Sequence, residues 1–235
     1  MTFKLILTGI TGRIGGEVLQ QSLKNPSVTS VIALARRPVP ELASHPKLDL
    51  VVVKDFKQYP DELIAQLSGA DGCIWCMTTP AGDPVLELEY PKSFAEVFAA
   101  TLAGRGERFQ YLHVTGAAVE RNQSKPLWLK SSVRKIKGQG ELQMIDFAKD
   151  PATNGLWETI IARPGGVVKR GTMFGEAAAL VGGSSGWTIR SDELAVALID
   201  AVMNGSEDQL LQPVALLNRG QQLIKKQVDT EDENK

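Results

Sequence analysis

A doubly wound parallel α/β sheet is the fold this sequence predicts, and three observations carry the prediction. Short, continuous apolar runs alternate with amphipathic stretches over most of the 235 residues. The first apolar run ends in glycines spaced three apart, Gly9, Gly12 and Gly15. No repeat and no apolar span of membrane length competes with that alternation. Continuous apolar strands are what a parallel sheet needs when helices cover both of its faces.

Each element follows from its own residues. Residues 3–9, FKLILTG, form a strand that stops at glycine, and in the stretch that follows Ile14, Val18, Leu19 and Leu23 share one helical face. Residues 28–38 and 48–56 read as the second and third strands. PDELIAQLSG between them and the fourth strand, ADGCIWCM, is a short helix opened by proline and closed by glycine. The next helix places Phe94, Val97, Phe98, Thr101 and Leu102 on one side, an apolar face that a second copy of the chain can pair with. RFQYLHVTGA is the fifth strand, 131–149 a helix, and WETIIARPGG the sixth strand. A final helix starts near Ser191, read as its cap, with Asp192 and Glu193 in the first turn.

Residues 1–224 therefore read as one domain, with 167–190 as a glycine- and serine-rich cap on the substrate side and 225–235 as a disordered charged tail. A net charge of -1 supplies no field to gather nucleic acid or an anionic membrane. The expected partner is a small molecule, with no nucleic acid and no membrane. The start lacks signal-peptide patterning, so a cytoplasmic chain is expected. Cys73 and Cys76 are spaced as C-x-x-C but sit within a strand, where residues three apart point to opposite faces, so buried packing is expected and no metal.

The glycines carry the chemistry. A helix N-terminus offers free N–H groups and partial positive charge, and glycine lets a diphosphate approach them. Gly9 makes the sharp turn, Gly12 clears room and Gly15 lets helix pack on strand, while Thr11 offers a hydroxyl and Ile14 a backbone N–H. No Gly-Lys-Ser or Gly-Lys-Thr follows, which excludes a Walker-type loop.

The end of the second strand selects the dinucleotide. An NAD site places a carboxylate there for the ribose hydroxyls, whereas the extra phosphate of NADP takes arginine. Here the residues are Arg36 and Arg37, with Arg13 in the first helical turn as a third guanidinium, so NADP is expected. Asp55 and Phe56 end the third strand where adenine would lie, and Cys76, Met77 and Thr78 end the fourth near ribose and diphosphate.

GITGRIGG, ALARRP, VKDF, KIKGQGE, ARPGG and SDELAVALIDAV together resemble the atypical short-chain dehydrogenases/reductases, particularly the compact NmrA-like members, over residues 3–204. The resemblance implies a Rossmann fold and a bound NADP, with Pro164 and Gly165 of ARPGG at the cofactor. It further implies a lysine that holds the nicotinamide ribose, a tyrosine four residues before it that donates the proton, and a serine or threonine ending strand five.

Lys137 fits the lysine, and Thr115 is the hydroxyl nearest the serine position. Val133 stands where the tyrosine belongs, and valine transfers no proton. Lys137 itself, His113 and, more remotely, Tyr90 are then the donors on offer, while Tyr111 is expected to pack. Gly138 and Gly140 are poor residues for a helix interior, as close approach of a cofactor or neighbouring helix would explain. Trp128, Met173, Phe174 and Trp187 are offered as an apolar substrate lining.

Three functions remain open on these residues. One is an NADP-dependent reductase of a small, mainly apolar carbonyl or enone compound. Another is a non-catalytic NADP-binding regulator or redox sensor. A third is an isomerase or dehydratase without net redox.

Overall fold

The computed structural model describes residues 2–40, 42, 44–172 and 187–233. Six strands alternate with helices in the order β1 (Phe3–Thr8), α1 (Arg13–Lys24), β2 (Val28–Ala35), β3 (Leu48–Val52), α2 (Asp61–Leu67), β4 (Gly72–Trp75), α3 (Tyr90–Ala99), β5 (Phe109–Val114), α4 (Ser131–Phe147) and β6 (Trp157–Ala162). Two short strands, β7 (Gly166–Val168) and β8 (Thr188–Arg190), then pair in parallel with each other. Helix α5 (Ser191–Asn204), the edge strand β9 (Leu210–Leu211) and helix α6 (Pro213–Glu233) complete the chain.

The main sheet has seven parallel strands in the order β3-β2-β1-β4-β5-β6-β9. Strand order reverses between β1 and β4, and ligands of open α/β sheets bind outside the carboxyl ends of the strands at such a switch point. One face carries Leu5, Leu7, Ala33 and Leu112 under α1, α5 and α6. The other carries Ile6, Ile32, Trp75 and Tyr111 with Phe94, Phe98, Phe109 and Trp157, a cluster in which Phe98 and Phe109 approach to 4.3 Å between ring centroids. Such edge and offset contacts add to simple area burial.

Several expectations are corrected. Residues 225–233 of the tail are helical, because α6 is anchored at buried Leu216 and Leu217 and the lysines and glutamine that follow favour continuing the helix, while 234–235 lie outside the described residues. The face of α3 offered for pairing with another copy is spent internally: Phe94, Phe98 and Leu102 are buried in this chain's own core. Arg190, not Ser191, is the cap of α5; its backbone N–H donates to Glu193, the reciprocal arm of a capping box. A π-helical turn, Val85–Glu89, precedes α3, so Tyr90 begins a helix and does not lie in a loop. Among the described residues no helix is long and apolar enough to cross a membrane.

Candidate functional site

The β1–α1 connection is built around contacts that side chains would forbid. Gly9 has φ +69°, and a β-carbon there would stand 2.6 Å from the Cys76 carbonyl oxygen at the end of β4. A β-carbon on Gly15 would stand 2.3 Å from the Gly9 carbonyl oxygen, so glycine alone lets α1 start this close to the strand. Gly12 caps the helix in extended backbone, with no side chain on the first-turn N–H groups and no acid in that turn. The free donors and the helix dipole are left to an external anion.

A groove of about 620 Å³ opens at this helix start. Its walls run from Arg36 and Arg37, past Gly9, Thr11 and Gly12, to Cys76, Met77, Thr78 and Leu86. Arg36 and Arg37 are exposed, and among the described residues neither has an ion-pair or hydrogen-bond partner. The volume lies in the range of small-molecule and cofactor sites. The uncapped helix, the glycine cradle and the two guanidinium groups all fit a dinucleotide carrying phosphates.

The structure brings together Lys137 and Thr78, which the sequence places on different elements. Lys137 Nζ donates to Thr78 Oγ1 at 2.5 Å and lies 3.5 Å from Glu87 Oε1, while Thr78 Oγ1 donates to the same carboxylate oxygen at 2.7 Å. Lys137 is not itself among the lining residues and meets the groove through Thr78, which is. Its helix approaches that closely because of the two interior glycines. A β-carbon on Gly138 would stand 2.0 Å from the Glu120 carbonyl oxygen, and one on Gly140 would stand 2.6 Å from that of Glu87. The close neighbours are a loop and the π turn.

Other expected site residues are placed elsewhere. Arg13 Nη1 donates to the Val167 carbonyl of β7 at 2.8 Å, so this guanidinium is turned to β7 and does not join Arg36 and Arg37 on the groove wall. The Ile14 side chain packs against the first core face, while its backbone N–H belongs to the uncapped first turn of α1. Asp55 accepts from the backbone N–H of Lys57 in a local turn and stands outside the groove. Phe56 borders the groove but is fully buried, its ring against Trp75 and Tyr90, so no flat face is free for a base. Pro164 accepts from the backbone N–H of Ala117 and, with Gly165, lies outside the groove lining.

Thr115, the hydroxyl at the serine position, and His113, offered as a proton donor, are both held in buried contacts. The Thr115 hydroxyl donates to Glu141 Oε1 at 2.7 Å, inside a buried cluster in which Arg163 and Arg121 also grip Glu141. His113 is buried on the aromatic side of the sheet with Nδ1 3.0 Å from the Tyr111 hydroxyl. Burial pushes its pKa down to about 4, with the Lys137 charge acting in the same direction and Glu141 opposing. The imidazole is therefore neutral near pH 7. Burial holds the Tyr111 hydroxyl far above its ordinary range, and it packs as expected.

Cys73 belongs to the aromatic core face and Cys76 packs against the opposite one, as their spacing in the strand requires. Trp128 is 99% exposed and Trp187 77%, so neither lines an apolar pocket among the described residues. Met173 and Phe174 lie outside the described residues. Glu87 and the Glu141–Arg163 pair were not singled out from the sequence. Nothing local in VLELEY reveals that the Glu87 carboxylate is buried while that of Glu89 is not.

No family model matches the chain. It is 33% identical over 121 residues to the leucinostatins biosynthesis cluster protein T of Purpureocillium lilacinum, an alignment covering 47% of this chain and 42% of that protein. Among solved structures it superposes on the PhqB reductase domain of Penicillium fellutanum with a TM-score of 0.61 and 17% identity, over 89% of this chain and 65% of that one. The Bordetella bronchiseptica enzyme WbmF, solved with NAD+ and UDP, gives 0.62 and 16%, over 89% and 71%. The DesIV dTDP-glucose 4,6-dehydratase of Streptomyces venezuelae, solved as a double mutant with NAD and DAU, gives 0.61 and 17%, over 89% and 74%. The chain thus spans less than half of that curated relative and under two thirds of the PhqB chain. Taken with the strand order and the glycine turn, these likenesses show that the chain has a Rossmann fold.

Proposed function

We propose that the chain binds NADP(H) in the β1/β4 groove and reduces a small, mainly apolar carbonyl or enone compound, with Lys137 as the proton donor. The observation that carries the reading is the pair Arg36 and Arg37, exposed at the end of β2 without a carboxylate partner among the described residues. Planar guanidinium forks match phosphate oxygens, and an NAD site would place an acid there. NAD in the WbmF and DesIV structures and the likeness to the PhqB reductase domain support a nicotinamide dinucleotide on this fold. The choice of NADP rests on the arginines.

A bound nicotinamide would supply the hydride. The chain must then supply one proton to the carbonyl oxygen, or to the α-carbon of an enone. Val133 has none to give, Thr115 is committed to Glu141, and His113 is buried and neutral. Lys137 has three N–H donors, one of which goes to Thr78 on the groove wall, and its charge is paired with Glu87 at 3.5 Å. In this reading the remaining donors hold the nicotinamide ribose and the reacting oxygen.

A second reading, an NADP-binding regulator without turnover, draws on Val133. The turn at Gly82, with φ +70°, presses against it so closely that a β-carbon there would stand 2.9 Å from Val133 Cα. One experiment separates the two: loss of NADPH absorbance across a panel of apolar ketones, quinones and enones. Reduction of at least one class, lost about 100-fold or more in Lys137→Met, supports the reductase. Saturable NADPH binding with no turnover across the panel supports the regulator.

A further inference from the structure

We propose that Glu87 is a positioning residue of this site, a buried carboxylate that orients Thr78 and Lys137 toward the hydroxyls of the dinucleotide's nicotinamide-side ribose. The inference rests on the NADP(H) reading above and assigns a role to a residue outside the machinery that the resemblance implies. Glu87 Oε1 accepts two hydrogen bonds, from Thr78 Oγ1 at 2.7 Å and the Thr79 backbone N–H at 2.9 Å, and pairs with the Lys137 ammonium at 3.5 Å. Its side chain is 1% exposed and that of Lys137 13%.

A buried ion pair is a poor device for stability alone, because desolvating two charges offsets most of their attraction, and an apolar pair of the same volume often serves as well. What this pair does fix is direction. Because the Thr78 hydroxyl gives its hydrogen to Glu87 and accepts one from Lys137, its second lone pair is left as an acceptor on the groove wall. Lys137 in turn keeps a donor free beside it. An acceptor and a cationic donor side by side match the neighbouring hydroxyls of a ribose.

The backbone shows how this geometry is held. Glu87 sits in the π turn Val85–Glu89, and single π turns inserted before or within helices recur at functional sites. In this turn Glu87 points inward while Glu89 points out to Lys57. Helix α4 is clamped to the turn from two sides: Gln143 Nε2 donates to the Leu88 carbonyl, and Gly140 permits contact with the Glu87 carbonyl. The other charged groups near Lys137 are committed elsewhere, Glu141 to Arg163 and Arg121, and His113 is neutral. Glu87 is the carboxylate that faces Lys137.

Titration of wild type, Glu87→Gln, Thr78→Val and Thr78→Ser with two probes tests this role. NADPH spans the groove, whereas adenosine 2′,5′-bisphosphate reaches only the arginine end. The expected result is NADPH binding weakened about tenfold in Glu87→Gln and in Thr78→Val, near wild type in Thr78→Ser, with bisphosphate binding unchanged in all three. The Glu87→Gln, Thr78→Val double variant should bind NADPH no more weakly than either single variant, as for two groups acting as one unit. NADPH binding within twofold of wild type in Glu87→Gln, or equal loss of both probes in Thr78→Val, would overturn the role. Failure of wild type to bind either probe would instead overturn the NADP(H) reading itself.

Discussion

Gly15 lies so close to Gly9 that a β-carbon would meet the Gly9 carbonyl oxygen at 2.3 Å, the Gly9 carbonyl carbon at 2.6 Å and the Thr8 carbonyl oxygen at 3.0 Å. All three atoms are backbone, so no side chain can swing away. The same contact ends β1, begins α1 and fixes the groove floor.

Gly15→Ala should therefore destabilise the fold by about 1–3 kcal/mol, the usual cost of overpacking. Gly116→Ala is the control, since its β-carbon would meet nothing within 4 Å and its backbone is not left-handed; it should change stability by less than about 0.5 kcal/mol. Urea unfolding of the two variants checks the difference. Equal stability would mean that α1 can shift without cost and that the glycine is not a packing requirement.

His113 gives the fold an acid sensitivity of known sign. Its folded pKa of about 4 lies below the ordinary 6.5, so between those values the unfolded chain binds a proton that the native chain refuses. The stabilisation is complete above about pH 6.5 and is lost as pH falls toward 4. Between pH 7.5 and pH 5 the loss is about 2 kcal/mol. Arg163, Thr115 and Arg121 outweigh desolvation to hold the Glu141 carboxyl below its ordinary 4.5, so its own contribution disappears only at lower pH. Chemical unfolding at the two pH values should show the loss in wild type and a clearly smaller one in His113→Gln. The same loss in both proteins would contradict a buried, neutral His113.

What could be read from the sequence is what depends on neighbours in the chain. Gly9, Gly12 and Gly15 follow a strand and open a helix, and that local order is enough to locate the turn, the groove and the switch point. Arg36 and Arg37 are legible because the end of β2 faces the groove in any sheet of this order. The opposite faces of Cys73 and Cys76 follow from strand geometry alone.

What was not legible depends on contacts between distant segments. VLELE gives no sign that Glu87 is inward and Glu89 outward, since an inserted π turn changes which residues share a face. Thr115 looks available until Glu141 and Arg163 arrive from two other elements. Arg13 is near the phosphate site in sequence, yet β7, 154 residues later in the chain, supplies its acceptor. The charged end of α6 lacks an apolar period of its own and is helical because its first half is anchored, with Gly220 against the Glu193 carbonyl.

The central claim is that the groove holds NADP(H) through Arg36 and Arg37, and paired dissociation constants for NADPH and NADH at near-physiological salt test it most directly. The account predicts saturable binding of NADPH, a preference over NADH of about tenfold or more, and loss of that preference in the Arg36→Ala, Arg37→Ala double variant while NADH binding stays unchanged. No saturable binding of NADPH, or a preference that survives removal of both arginines, would contradict it.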